Sequence, residues 1–122
     1  MRVVSEPEFN LQLRSELLLH DLSEVGAVTG PGRSGAIAAV YASHMLGVPF
    51  IPHGAPAPTE LGRLLIVDTA METGKTIRKS RNRYAAARPI TVVAFHEPPR
   101  VAFWYEAPKP QLYIHERHRP AA

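Results

Sequence analysis

Short apolar runs alternate along this chain with segments whose apolar residues recur at helical spacing, a pattern that predicts a layered α/β domain. The N-terminal stretch Ser5-Glu6-Pro7-Glu8 reads as a helix start: serine can cap, proline tolerates the first turn, and Glu8 stands three residues after the cap. Phe9, Leu11, Leu13, Leu17 and Leu18 follow as an imperfect apolar face, ending near His20. Residues 25–29 (VGAVT) predict a short strand, residues 36–46 an alanine-rich helix closed by Gly47, and residues 48–51 a second strand. The loop HGAPAPT then occupies residues 53–59. Residues 64–67 (LLIV) are four consecutive apolar positions, the mark of a strand buried on both faces as in parallel sheets. A loop at 68–74 leads into a helix from Lys75 to about Ala87, and residues 90–95 (ITVVAF) predict another buried strand. After Pro98 and Pro99, residues 101–105 and 112–115 read as short strands that close the domain. This order implies a single domain over residues 1–122, built on an open, mostly parallel twisted sheet flanked by helices, with ligands at the carboxyl ends of the strands.

Composition narrows the chemistry. A chain of 122 residues, 45% hydrophobic and 20% charged, can bury one core. It contains no cysteine, which excludes disulfides, thiolate zinc sites and a cysteine nucleophile, and fits a reducing compartment. No apolar run approaches the ~20 residues needed to cross a bilayer, and the start MRVVSEPEF lacks the apolar stretch of a signal peptide, so a cytoplasmic protein without a membrane partner is expected. The net charge of +3 suits an anionic small molecule as well as a nucleic acid. Its basic excess gathers in Arg78, Lys79, Arg81 and Arg83 and in the tail at Arg117 and Arg119, without the interleaved aromatic residues of a nucleic-acid surface.

Two glycine-bearing turns carry the candidate chemistry. The first, Thr29-Gly30-Pro31-Gly32-Arg33-Ser34-Gly35, lies between a predicted strand and helix, where backbone N–H groups and a helix N-terminus converge on an anion and Arg33 can pair with phosphate. The second, Asp68-Thr69-Ala70-Met71-Glu72-Thr73-Gly74-Lys75-Thr76, follows a buried strand and opens a helix. Thr73 and Thr76 bring hydroxyl donors, Gly74 permits close backbone approach, Asp68 is an acceptor suited to sugar hydroxyls, and Glu72 is a carboxylate placed for acid–base work. Gly74-Lys75-Thr76 also ends a Walker loop, but the first glycine of that motif would fall at position 69, which is threonine.

Residues 64–76 resemble the signature of the type I phosphoribosyltransferases, particularly the hypoxanthine-guanine and xanthine-guanine purine-salvage branch: four apolar residues, two acids, two apolar residues, an acid, then T-G-x-T. Thr69 stands where the second acid is usual. The resemblance implies that Asp68 and Thr69 face the ribose of phosphoribosyl diphosphate, and that Met71, Glu72, Thr73, Gly74, Lys75 and Thr76 wrap its 5′-phosphate. It makes Glu72 and Asp68 the candidate catalytic residues, Glu72 handling the proton at N7 of a purine. Gly32, Arg33, Ser34 and Gly35 resemble the diphosphate turn R-G-G, with Ser34 in place of a glycine. His96 falls near the position of a base-contacting lysine, and Tyr113 falls in the segment that stacks on the base. The implied activity is transfer of a phosphoribosyl group to a purine base, giving a nucleoside monophosphate and diphosphate, with Mg2+ as cofactor and no direct metal ligand in the chain. A homodimer or higher homo-oligomer is common in the family. The neutral Thr69, and the short span 52–63 where the family carries a long closing loop, motivate a second expectation: a non-catalytic module that binds phosphoribosyl diphosphate or a nucleotide.

Overall fold

A computed structural model describes residues 2–71, 74–96 and 101–106. A two-residue strand, β1 (Val3–Val4), leads into helix α1 (Glu6–Leu17). The Ser5 hydroxyl accepts from the Glu8 N–H at 3.3 Å, as its capping position requires, while the Glu8 carboxylate pairs with Arg2. Strand β2 (Val25–Thr29) is buried along its whole length and feeds helix α2 (Gly32–Leu46), which ends on Gly47 in the left-handed conformation. Strand β3 (Arg63–Ala70), helix α3 (Lys75–Arg83), strand β4 (Ile90–Phe95) and the short strand β5 (Ala102–Phe103) complete the regular elements. One-turn 3-10 segments lie at Thr59–Leu61, Ala85–Ala87 and Trp104–Glu106.

The sheet is parallel in the order β2-β3-β4, and β1 pairs with β5, also parallel, in a second small sheet. Strand alternation divides the core into two layers. Leu65 and Val67 of β3 join Phe9, Leu13, Ala38, Ala39 and Ala42 on the side of α1 and α2. Leu64 and Ile66 face the other way, onto Ala27, Ile77 and Tyr84 beside α3. Helices therefore cover both faces, as expected for a sheet whose central strand is an unbroken apolar run.

Four expectations need correction. Residues 48–51 do not form a strand: Phe50 makes one isolated parallel bridge to Val28, and the flanking Pro49 and Pro52 lack the N–H groups that would extend a ladder. Helix α3 stops at Arg83 rather than near Ala87, where Tyr84 leaves helical geometry and a 3-10 turn follows. Residues 101–105 form a strand only at Ala102–Phe103. Residues 68–70 are not loop, because β3 stays paired with β4 through Ala70↔Phe95 and the Met71 N–H still reaches the Phe95 carbonyl at 3.1 Å. The expected strand at 112–115 lies outside the described residues.

Candidate functional site

Phe50 sits on the outer side of β2 and β3 on its inner side, so the direction of strand addition reverses between β2 and β3. In open α/β sheets this reversal opens a crevice at the carboxyl ends of the strands, where ligands bind. Both glycine-bearing turns flank that point. The segment after β2 enters α2 directly, so Arg33, Ser34 and Gly35 form the first helical turn rather than a free loop. No acidic residue stands in the first turn of α2 or α3, and each helix N-terminus carries a partial positive charge.

Gly30 fixes how closely α2 approaches the sheet. A side chain there would place its Cβ 2.0 Å from the Gly35 carbonyl oxygen and 2.5 Å from that of Val67. The N-terminus of α2 is thus pressed against the end of β3. At the second turn Gly74 takes φ +78°, a left-handed conformation that glycine adopts freely, and swings the chain into α3.

Asp68 and Thr69 fall on opposite faces of β3 by the alternation that places Ile66 and Val67. Burial pushes the Asp68 carboxyl up to about 6, against hydrogen bonding from Thr69 that favours its ionised form. The Thr69 N–H donates to Asp68 Oδ1 at 2.8 Å. Thr69 itself is buried. The Tyr105 phenol is 2.6 Å from Ser34 Oγ, and its ring lies under the Arg33 guanidinium, 5.8 Å from ring centroid to Cζ. Burial raises the Tyr105 phenol above its ordinary range. His96 ends β4 with its Nε2 donating to the Val93 carbonyl at 3.1 Å, which leaves Nδ1 for any further partner.

Across the sheet, the short span after Phe50 is clasped to α3. His53 Nε2 lies 2.9 Å from Ser80 Oγ; the Gly54 N–H donates to the Tyr84 phenol at 2.7 Å, and that phenol donates to the Ala55 carbonyl at 2.8 Å.

Asp68 thus stands at the strand-order reversal, near the end of β3 and ahead of the turn into α3, and this architecture recurs in solved structures. The chain superposes on the Helicobacter pylori xanthine-guanine-hypoxanthine phosphoribosyltransferase with a TM-score of 0.65, at 12% identity, over 88% of this chain and 93% of that one. It superposes on the purine phosphoribosyltransferase of Pyrococcus horikoshii with a TM-score of 0.65, at 18% identity, over 93% and 97%. The fold is that of the phosphoribosyltransferases. A hypothetical protein from Neisseria gonorrhoeae with bound ppGpp shares it, with a TM-score of 0.69 and 10% identity over 89% and 92%. No family model matches the sequence, and none of the curated proteins is a significant match.

On this phosphoribosyltransferase fold, Gly32, Arg33, Ser34 and Gly35 form the first turn of α2, and Asp68 and Thr69 lie near the end of β3. Met71 follows the end of β3, and Gly74, Lys75 and Thr76 open α3. Glu72, Thr73 and Tyr113 lie outside the described residues. Among the described residues no group of three or more His, Cys, Asp or Glu side chains could hold a metal ion, and no helix is long and apolar enough to cross a membrane. Sequence reasoning missed Tyr105, which it placed in a strand. Its contact with Ser34 spans 71 positions, and no local pattern announces such a pairing.

Proposed function

We propose that this chain is a compact purine-type phosphoribosyltransferase. The observation that carries the reading is Asp68 itself: a half-buried carboxylate near the carboxyl end of β3, at the strand-order reversal and ahead of the turn into α3, its carboxyl pushed up to about 6 by burial. Asp68 accepts hydrogen bonds from the ribose hydroxyls, the turn ending at Gly74-Lys75-Thr76 holds the 5′-phosphate, and the turn at Arg33-Ser34-Gly35 takes the diphosphate. A nitrogen lone pair of the purine forms the new bond to C1′ while the bond from C1′ to the diphosphate oxygen breaks. The proton lost by the base passes to a carboxylate, the role suited to Glu72. Catalysis then consists of positioning and of stabilising the charge that gathers on the departing diphosphate.

Among the described residues no group of three or more acidic or histidine side chains could hold a metal ion. Mg2+ would enter as the counter-ion of the diphosphate, held chiefly by phosphate oxygens and water. Mixing phosphoribosyl diphosphate and Mg2+ with guanine, xanthine, hypoxanthine or adenine, and following diphosphate release, tests the assignment. Release with at least one base supports it, and silence with all four overturns it.

The ppGpp-bound neighbour favours one further reading, a nucleotide-binding module without turnover. The neutral Thr69 and the short span clasped to α3 support it, since both weaken the sequestration of a reacting centre more than they weaken binding. Saturable binding of a nucleoside monophosphate or ppGpp, with no diphosphate released in the assay above, would favour this module.

A further inference from the structure

Ser34, one of the positions at which this chain departs from the phosphoribosyltransferase motif, has a partner from a third segment. The Tyr105 phenol reaches its Oγ at 2.6 Å. A glycine at position 34 would offer the phenol no hydroxyl.

Tyr105 is itself held from behind. Its ring stacks on Phe103 at 5.7 Å and 9°, and meets Trp104 edge-on at 5.0 Å. Phe103 is buried and belongs to the small β1-β5 sheet, so the phenol projects from a packed base. The Arg33 guanidinium lies over the ring's outer face.

We propose that Tyr105 is a positioning residue: its phenol and ring tie the first turn of α2, at Ser34 and Arg33, to the packed β5 segment and so fix the diphosphate turn in place. A ligand that reaches this turn finds it already held, without the ordering cost of fixing it. The ligand part of this proposal rests on the phosphoribosyl reading above. The tie does not.

Tyr105→Phe tests it, because the variant keeps the ring contacts and removes one oxygen. Hydrogen exchange of the unliganded protein reads the tie directly. Losing one hydrogen bond corresponds to about fivefold faster exchange over residues 35–38. Ser34→Ala removes the same bond from the other side and is expected to match it, with little added effect in the double variant. Unchanged exchange in both single variants overturns the tie, whatever the crevice binds. Titration then reads the consequence: about fivefold weaker binding of phosphoribosyl diphosphate, with guanosine monophosphate, which lacks the diphosphate, changed less than about twofold. Equal weakening for both ligands overturns the positioning role, as does tighter binding by Tyr105→Phe, which would mean that the phenol occupies the ligand's place. If the wild-type protein binds neither ligand, the phosphoribosyl reading falls and the exchange result alone decides the tie.

Discussion

The substitution Asp68→Asn removes a carboxylate whose ionisation the fold opposes. Burial moves the Asp68 carboxyl from the usual 3.8 to about 6, which corresponds to roughly 2–3 kcal/mol against the ionised form. The sign follows from linkage. Because the folded value lies above the unfolded one, the folded state holds the proton more tightly, and its advantage is complete below pH 3.8. That advantage is lost as pH rises toward about 6, and above this the full cost of the buried charge remains. The amide that replaces it is neutral at every pH, of the same size, and still able to accept the Thr69 N–H through its carbonyl oxygen. Urea unfolding of wild type and Asp68→Asn at pH 4 and pH 7.5 isolates this term, since the other titrating groups are common to both proteins. The expected result is near-equal stability at pH 4 and a gain of about 2–3 kcal/mol for Asp68→Asn at pH 7.5. In a chain of this size that gain raises Tm by roughly 6–12 °C. A destabilised Asp68→Asn, or a difference between the proteins that does not change with pH, would refute the reasoning. Such a gain would show that the wild-type fold bears a cost at Asp68 that structure alone does not require, as a binding carboxylate would.

Three further outcomes follow from the geometry. Gly30→Ala drives a methyl into the Gly35 and Val67 carbonyl oxygens and should cost about 3 kcal/mol or more, read as a lowered urea midpoint; a change under about 1 kcal/mol would contradict the packing at that turn. Tyr84→Phe leaves the Gly54 N–H and Ala55 carbonyl without the phenol, so about 1–3 kcal/mol is lost and amide exchange over residues 53–57 quickens; unchanged exchange there would contradict the clasp. Burial, and secondarily the charge of Arg83, hold His53 below its usual 6.5, so its contribution to stability is present above pH 6.5 and is lost as pH falls through the lower folded value. Titration of the His53 ring followed by NMR checks this, and a midpoint above 6.5 would contradict it.

The legible parts of the fold are those where one local signal suffices. The apolar run at residues 64–67, the strand Ile90–Phe95 and the glycine closing α2 all announce themselves in sequence, because burial on two faces and a left-handed cap each restrict residue type strongly. Phe50 misled because an apolar run between two prolines has the composition of a strand without its donors. Asp68 and Thr69 read as loop because they are polar, yet backbone pairing with β4 holds them in the strand. That pairing buries Thr69 and produces the Asp68 shift. The crevice's two turns were visible as glycine patterns, whereas Tyr105 was not, because its position depends on the β1-β5 pairing of two dipeptides far apart in the chain. The clasp of His53 and Tyr84 was hidden for the same reason: each side chain is ordinary in its own segment and acquires a role only across the 27–30 residues that separate the partners.

The central claim is that the crevice beside Asp68 binds a phosphoribosyl group, and calorimetric titration of phosphoribosyl diphosphate with Mg2+ at pH 7.5 tests it most directly. The account predicts saturable one-site binding to the wild-type protein, at least tenfold weaker for Asp68→Asn, corresponding to about 1.4 kcal/mol or more from lost charge-assisted hydrogen bonds to the ribose. No heat of binding to the folded wild type, or equal affinity in the two proteins, would contradict it.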